Sequence, residues 1–188
     1  MSRVDDLKQA RARMEAVREE IYRAVAGRSD AELHCPPAGG GWSAAEVLDH
    51  LRAAEGSLVR ALKKFEKGEP TRVPRVAWWY RVPISPFFWH IRFKAPKLVR
   101  PRPRAEVNPE EVLEALRTSR RDLLALADRM GEERFAAMIF PHFLLGRFNG
   151  VTWFRFLARH EARHLGQLRR VLAGPKVLRC APAAERRA

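Results

Sequence analysis

A chain of 188 residues is long enough for one domain with a single sizeable core. Its apolar fraction of 46% is ordinary for a globular protein, but its formal charge of +14 is not. Arginine dominates the basic residues and is spread over every segment, which argues for a generally basic surface and against a dedicated nucleic-acid arm.

Cys35 and Cys180 are far apart and stand in no metal or redox spacing, which fits a reduced, cytoplasmic protein. The start, Ser2-Arg-Val-Asp-Asp-Leu, lacks the apolar core of a signal peptide. No stretch approaches the ~18 apolar residues of a membrane-spanning helix. The closest, Phe135 to Leu145, is broken by Pro141 and His142.

Leu7, Ala10, Met14, Val17, Ile21 and Val25 recur at helical spacing and predict a first helix over residues 3–26, stopped by Gly27. A loop from Ser29 to Gly41 follows, with Cys35-Pro-Pro and three glycines, and has room for no more than a helical turn. Ser43 and Glu46 then have capping-box spacing, and Trp42 and Val47 that of a hydrophobic staple. Ala44, Leu48, Leu51, Leu58, Leu62 and Phe65 carry this second helix to Lys67. His50 lies on the flank of that face, and Glu55 lies inside the apolar row.

Residues 69–108 differ in composition. They hold seven of the thirteen prolines and nine Lys/Arg against two acids, with the aromatic cluster Trp78-Trp79-Tyr80 and Phe87-Phe88-Trp89. The prolines exclude a long helix and leave room for a short helical turn near 87–93. So long a connection is usually functional or covers something. Four readings are open. As a lid, Trp78, Trp79, Tyr80 and Trp89 would wall a pocket, and Arg75, Arg81 or Arg92 would bind an anionic group of a small substrate. As a membrane-surface element, residues 72–104 mix aromatic and basic groups suited to an interface. The segment can also pack on the bundle or on a dimer partner. Nucleic-acid binding is not expected, since no helix carries an ordered basic face.

Asn108-Pro109-Glu110-Glu111 starts the third helix with a cap, a proline and two acids, and the helix runs to Met130. Residues 132–149 read as a phenylalanine-rich connection, with no strand pattern of any length. The fourth helix spans about Asn149 to Ala173 and ends at Gly174-Pro175. Residues 176–188 read as a basic tail. The expected fold is therefore all-α: an antiparallel four-helix bundle over residues 1–175, with a long basic, aromatic connection between its second and third helices.

On the fourth helix, Trp153, Leu157, His160, His164, Gln167 and Val171 fall in one stripe, and Phe154, Ala158, Glu161, Leu165, Leu168 and Leu172 in the next. Two inward imidazoles one turn apart either share a metal ion or are core residues bonded to backbone, water or Glu55. A third ligand must come from another helix, where Asp49, His50, Glu55, Asp122 and Asp128 are available. His50 is preferred for its place near the start of the second helix. Three neutral imidazoles suit zinc, nickel or ferrous iron. His34 and His90 read as surface or packing residues.

His160-Glu161-Ala-Arg-His164 also spells the zinc-protease motif, with its glutamate as general base. Gln167 stands where a metzincin needs glycine, however, and the sheet that such proteases require is absent. Glu161 also lies about 100° around the helix from His160.

The capped Gly-Trp-Ser-x-x-Glu-Val-Leu-x-His of residues 41–50, together with His160-x-x-x-His164-x-x-Gln167, resembles the DinB-like/YfiT-like metal-binding four-helix bundles. Pro141-His142-x-x-x-Gly146 is similar to the family's lead-in to that last helix. The resemblance covers residues 3–173 and implies a metal triad of His50, His160 and His164 with open coordination positions. It further implies a metal-dependent thiol transferase or hydrolase acting on a small electrophile, in some relatives with a low-molecular-weight thiol such as bacillithiol or mycothiol. Glu161, His142 and Gln167 are then candidates to orient ligands or move protons, and a homodimer is expected. The rival expectation is a non-catalytic bundle that binds a metal or ligand, or that meets a membrane surface through residues 72–104.

Overall fold

The computed structural model describes residues 2–67, 97–142 and 146–174. Arg75, Trp78, Trp79, Tyr80, Arg81, Trp89, His90 and Arg92, the turn expected near 87–93 and the tail 176–188 lie outside them. Four long helices dominate: α1 (Arg3–Val25), α3 (Ala44–Glu66), α4 (Pro109–Met130) and α6 (Gly150–Leu172). Between them stand two short helices, α2 (Asp30–His34) and α5 (Glu132–Ala137), and a hairpin of β1 (Ile139–His142) and β2 (Gly146–Asn149). Two 3-10 turns, Lys97–Val99 and Arg104–Glu106, precede α4. Among the described residues no helix is long and apolar enough to cross a membrane.

Local signals set the helix ends. Ser2 with Asp5 and Ser43 with Glu46 form reciprocal capping boxes on α1 and α3. Asn108 accepts from the Glu110 and Glu111 amides, and Asn149 from that of Thr152. Gly131 ends α4 at φ 79°, a left-handed conformation suited to glycine. Gly150 starts α6 for a different reason. A Cβ there would stand 2.2 Å from the Phe135 carbonyl oxygen, so only glycine lets α6 pass α5.

The hairpin corrects the expectation of an irregular connection with no strand. Phe140 pairs with Phe148 across it, and both rings pack against Trp153 at the base of α6. Four-residue strands are too short to show alternation in sequence. Pro141 is tolerated because each strand of a two-stranded hairpin has an edge free of ladder bonds. Cys35, at the end of α2, is buried and disulfide-bonded.

Interhelical bonds give the directions of the helices. Asp6–Arg155 and Glu20–Arg169 link α1 and α6 in the same order, and Glu55–Arg120 and Glu66–Arg129 do so for α3 and α4. Arg11–Asp128 and the bond from Arg18 to the Leu116 carbonyl link α1 and α4 in opposite order. Two helices thus run each way, and the most closely packed pairs, α1 with α6 and α3 with α4, are parallel. A helix of 23 residues is ~34 Å long. The connection between α3 and α4 therefore begins and ends at opposite ends of α3, a distance that about 10 extended residues span.

The core divides into two apolar clusters. One holds Met14, Leu58, Leu123, Leu157 and Ala158; the other holds Ile21, Leu51, Leu116, Leu165 and Leu168. On each long helix one charged residue stands between the two: Arg18, Glu55, Arg120 and Glu161, all buried. Arg18 Nη2 binds both Glu55 and Glu161, the latter at 2.6 Å. Arg120 donates to Glu55 at 3.0 and 3.2 Å and to Glu161 at 2.5 Å. The arginines also donate to the Leu116 and Met14 carbonyls, each at 3.1 Å, which ties α1 to α4 directly.

Burial alone would raise the Glu55 carboxyl, but Arg18 and Arg120 pull it below its ordinary value. Glu161 is raised by burial and by Glu55, against the pull of the same arginines. The difference follows the geometry: both Glu55 oxygens are bonded, whereas Glu161 uses only Oε1.

Truncating one member leaves the others charged and dry. Arg120→Ala is expected to cost ~3–5 kcal/mol of stability, read as a lowered urea midpoint. A loss below about 1 kcal/mol, the scale of a surface pair, would contradict this reading of the layer.

Candidate metal centre

One helical turn from the ion layer, on the side where α3 faces α6, the structure brings His50, His160 and His164 together. One ring nitrogen from each lies within 4.8 Å of the others. His50 and His164 are buried, and His160 is half-buried. The i, i+4 spacing on α6 sets two rings side by side, and α3 presents the third. Of the other positions weighed as third ligand, Asp49 binds Arg52 and Arg102, and Glu55 lies in the ion layer. Asp122 and Asp128 pair at the surface with Lys63 and Arg11.

Hydrogen bonds on the outer nitrogens decide which atoms face inward. The His50 Nδ1–H donates to the Val99 carbonyl at 2.6 Å, so its Nε2 lone pair is left for the cluster. His164 Nδ1–H donates to Gln167 Oε1 at 2.9 Å and likewise frees Nε2. The Nε2 atoms of His50 and His160 are 3.2 Å apart. Two nitrogens on one tetrahedral zinc, with bonds of ~2.1 Å, stand ~3.4 Å apart. A donor set of three imidazoles, with the tautomers of His50 and His164 fixed, at this spacing fits a divalent ion of the zinc type.

Rings enclose the cluster. Trp42, just before the α3 cap, has its centroid 5.1 Å from that of His50 and 6.5 Å from that of His164. Phe156 stacks on His160 at 5.7 Å. These apolar walls keep the imidazoles neutral. Burial lowers His50 against the pull of the Val99 carbonyl. His160 lies well below the usual imidazole value through burial and then the neighbouring His164 and His50. His164 is pushed down to about 4, first by burial and then by His50. Neutral imidazole is the form that ligates a metal.

The remaining candidates fall in three different places. Gln167 supports His164 directly. His142, on β1, is buried in a box of Phe148, Trp153 and Phe156, and burial lowers it to about 4. Glu161 is committed to Arg18 and Arg120, in the stripe of α6 next to that of the histidines. The protease-like motif therefore reads as two histidines for one function and a glutamate for another. His34 at the end of α2 bonds the Asp30 and Val107 carbonyls, each at 2.8 Å, a packing role.

Sequence reasoning missed the Val99 carbonyl, because a backbone acceptor has no residue signature. It also missed Arg18 and Arg120. A signal was available there: Arg18 continues Met14 and precedes Ile21 at core spacing, and Arg120 does the same between Leu116 and Leu123.

A helical bundle with a three-histidine cluster between antiparallel helices defines a class of candidate metal-binding bundles. The chain belongs to the DinB superfamily, whose family model matches residues 9–168. It is also similar to the uncharacterized protein YuaE of Bacillus subtilis, 26% identical over 158 residues, which cover 82% of this chain and 91% of the relative. No solved structure matches it.

The depressed histidines give a test by pH. Their folded values lie below the ordinary imidazole value, so acid protonates the unfolded chain first. The stability they contribute is whole above pH ~6.5 and is lost as pH falls toward about 4. In metal-free protein, His142→Phe should reduce that acid-side loss by up to ~1.4 kcal/mol per pH unit relative to wild type. Identical pH–stability curves for the two proteins would refute the assignment.

Proposed function

We propose that this protein is a divalent-metal-dependent enzyme acting on a small electrophile by thiol transfer or hydrolysis. The supporting observation is the convergence of three neutral imidazoles whose outer nitrogens at His50 and His164 are already engaged. His50, His160 and His164 would hold the ion. Three protein ligands on a four-coordinate ion leave a position for an exogenous thiol or water. A bound ion there supplies Lewis acidity, which lowers the pKa of such a thiol or water to near neutral.

The residues around it divide the rest of the work. Val99 and Gln167 fix ring orientation. Trp42 and Phe156 exclude water, which strengthens electrostatic effects within the cluster. Residues 69–96, with Trp78, Trp79, Tyr80, Arg81 and Trp89, are the proposed source of substrate contacts.

A second reading, metal binding without turnover, has one specific observation in its favour. Among the described residues, the carboxylates nearest the cluster in sequence are both occupied: Asp49 by Arg52 and Arg102, Glu161 by Arg18 and Arg120. A reaction needing a general base would draw it from His142 or from the substrate thiol.

Untagged protein purified without nickel resin should carry near-stoichiometric zinc, nickel or iron by elemental analysis, with little in His164→Ala. Adding a low-molecular-weight thiol to cobalt-loaded protein should produce a sulfur-to-metal charge-transfer band. Metal in wild type with no spectral response to any thiol, and no hydrolysis of activated esters, would favour the non-catalytic reading. Equal metal in wild type and His164→Ala would refute the site.

A further inference from the structure

The end of the connection between α3 and α4 is bonded to the face of α3 that carries His50. Three anchors follow one another. The Val99 carbonyl accepts from His50 Nδ1 at 2.6 Å. The Arg102 amide donates to Asp49 Oδ2 at 2.8 Å, and its guanidinium to Asp49 Oδ1 at 3.2 and 3.0 Å. Arg104 Nε donates to Glu46 Oε2 at 2.9 Å. Glu46, Asp49 and His50 stand at i, i+3 and i+4, so one passing stretch of chain can reach all three. The partners run in reverse order, 99 to 50, 102 to 49 and 104 to 46. The stretch therefore lies antiparallel to α3, as a returning crossover must.

Asp49 is the firmest of these points. Its side chain is fully buried, with Arg52 and Arg102 as its charged partners. Losing the Arg102 guanidinium would strip that carboxylate of a charged partner that donates twice to its Oδ1 in a dry setting, which is costly. Val99 adds an apolar hold, since its side chain is buried while neighbouring Leu98 is exposed.

We propose that residues 97–104 are a positioning strap for the three-histidine centre. Arg102, acting through Asp49, holds the Val99 carbonyl where it fixes the tautomer and ring orientation of His50. The proposal rests on the reading of His50, His160 and His164 as metal ligands. A neutral imidazole carries one N–H, and a carbonyl at Nδ1 keeps that proton there, with Nε2 aimed at His160 and His164. Without the strap, the ring is free to turn and to populate the other tautomer, which offers the cluster an N–H in place of a lone pair. By reciprocity, metal binding tightens the strap on α3 as much as the strap tightens the metal. Glu46 ties the same strap to the α3 N-terminus, because it is also the capping-box residue of Ser43.

The test uses the full chain. Zinc affinity is measured by competition with a chromophoric chelator, and the visible spectrum of the cobalt form reports ligand geometry. The Arg102 side chain is 37% exposed, so Arg102→Ala is expected to fold, with a far-ultraviolet circular dichroism spectrum like that of wild type. Zinc affinity in this variant should fall ~10–100-fold, with shifted cobalt bands. Arg102→Lys should recover part of the affinity, and the near-isosteric Asp49→Asn should weaken binding in the same direction. Arg129→Ala, which removes a surface pair with Glu66, should leave affinity unchanged.

Wild-type affinity and spectrum in Arg102→Ala, with metal lost in His50→Ala, would overturn the strap and leave the metal centre standing. Unchanged affinity in His50→Ala as well would overturn both.

Discussion

The structure depends on one layer of charge. Arg18, Glu55, Arg120 and Glu161 meet in the middle of the bundle, one from each long helix, and split the apolar core in two. Such a layer is a weak source of net stability, since desolvation offsets most of the attraction. Its effect is on register. Sliding any helix by one turn would set an arginine or a glutamate against leucine, at a cost of several kcal/mol. The layer also sets the neighbouring cluster. Glu161 is the residue after His160, so fixing its inward direction fixes the rotation of α6 and aims His160 and His164 toward α3. Glu55 fixes α3 in the same way, with His50 just over one turn away.

Topology then links the long connection to the site. Parallel α3 and α4 require the chain to return along the bundle, and the return path ends beside the N-terminal half of α3. The described end of that path, residues 97–104, bonds Glu46, Asp49 and His50. A segment that looked like an insertion in composition therefore ends as part of the wall behind a candidate ligand. The antiparallel relation of α3 and α6 opposes His50 to His160 and His164, although 110 positions separate His50 from His160.

Much of this was legible in the sequence. The four long helices were readable because each carries apolar residues at helical spacing, and the second and third also begin with cap signals at Ser43 and Asn108. The histidines were readable because i, i+4 on a helix leaves two side chains little choice but to be neighbours. Other features were hidden for physical reasons. Arg18 and Arg120 are arginines, which normally stay in water, so their core-stripe positions were passed over. The hairpin strands are four residues long, too short for period-two patterning. The Val99 carbonyl is a backbone atom and is set by the path of the chain. Glu161 shows the limit of motif reading: its spacing matches a protease base, while its side chain serves a structural layer.

The most direct test of the central claim is X-ray absorption at the zinc edge on protein loaded with one equivalent of zinc. The account predicts three imidazole nitrogens at ~2.0–2.1 Å with multiple scattering from their rings, plus one or two exchangeable light atoms. Addition of a small thiol should bring in a sulfur at ~2.3 Å. A first shell of oxygens with fewer than two imidazoles would contradict it, and would mean that the three histidines are core residues held by Val99, Gln167 and one another.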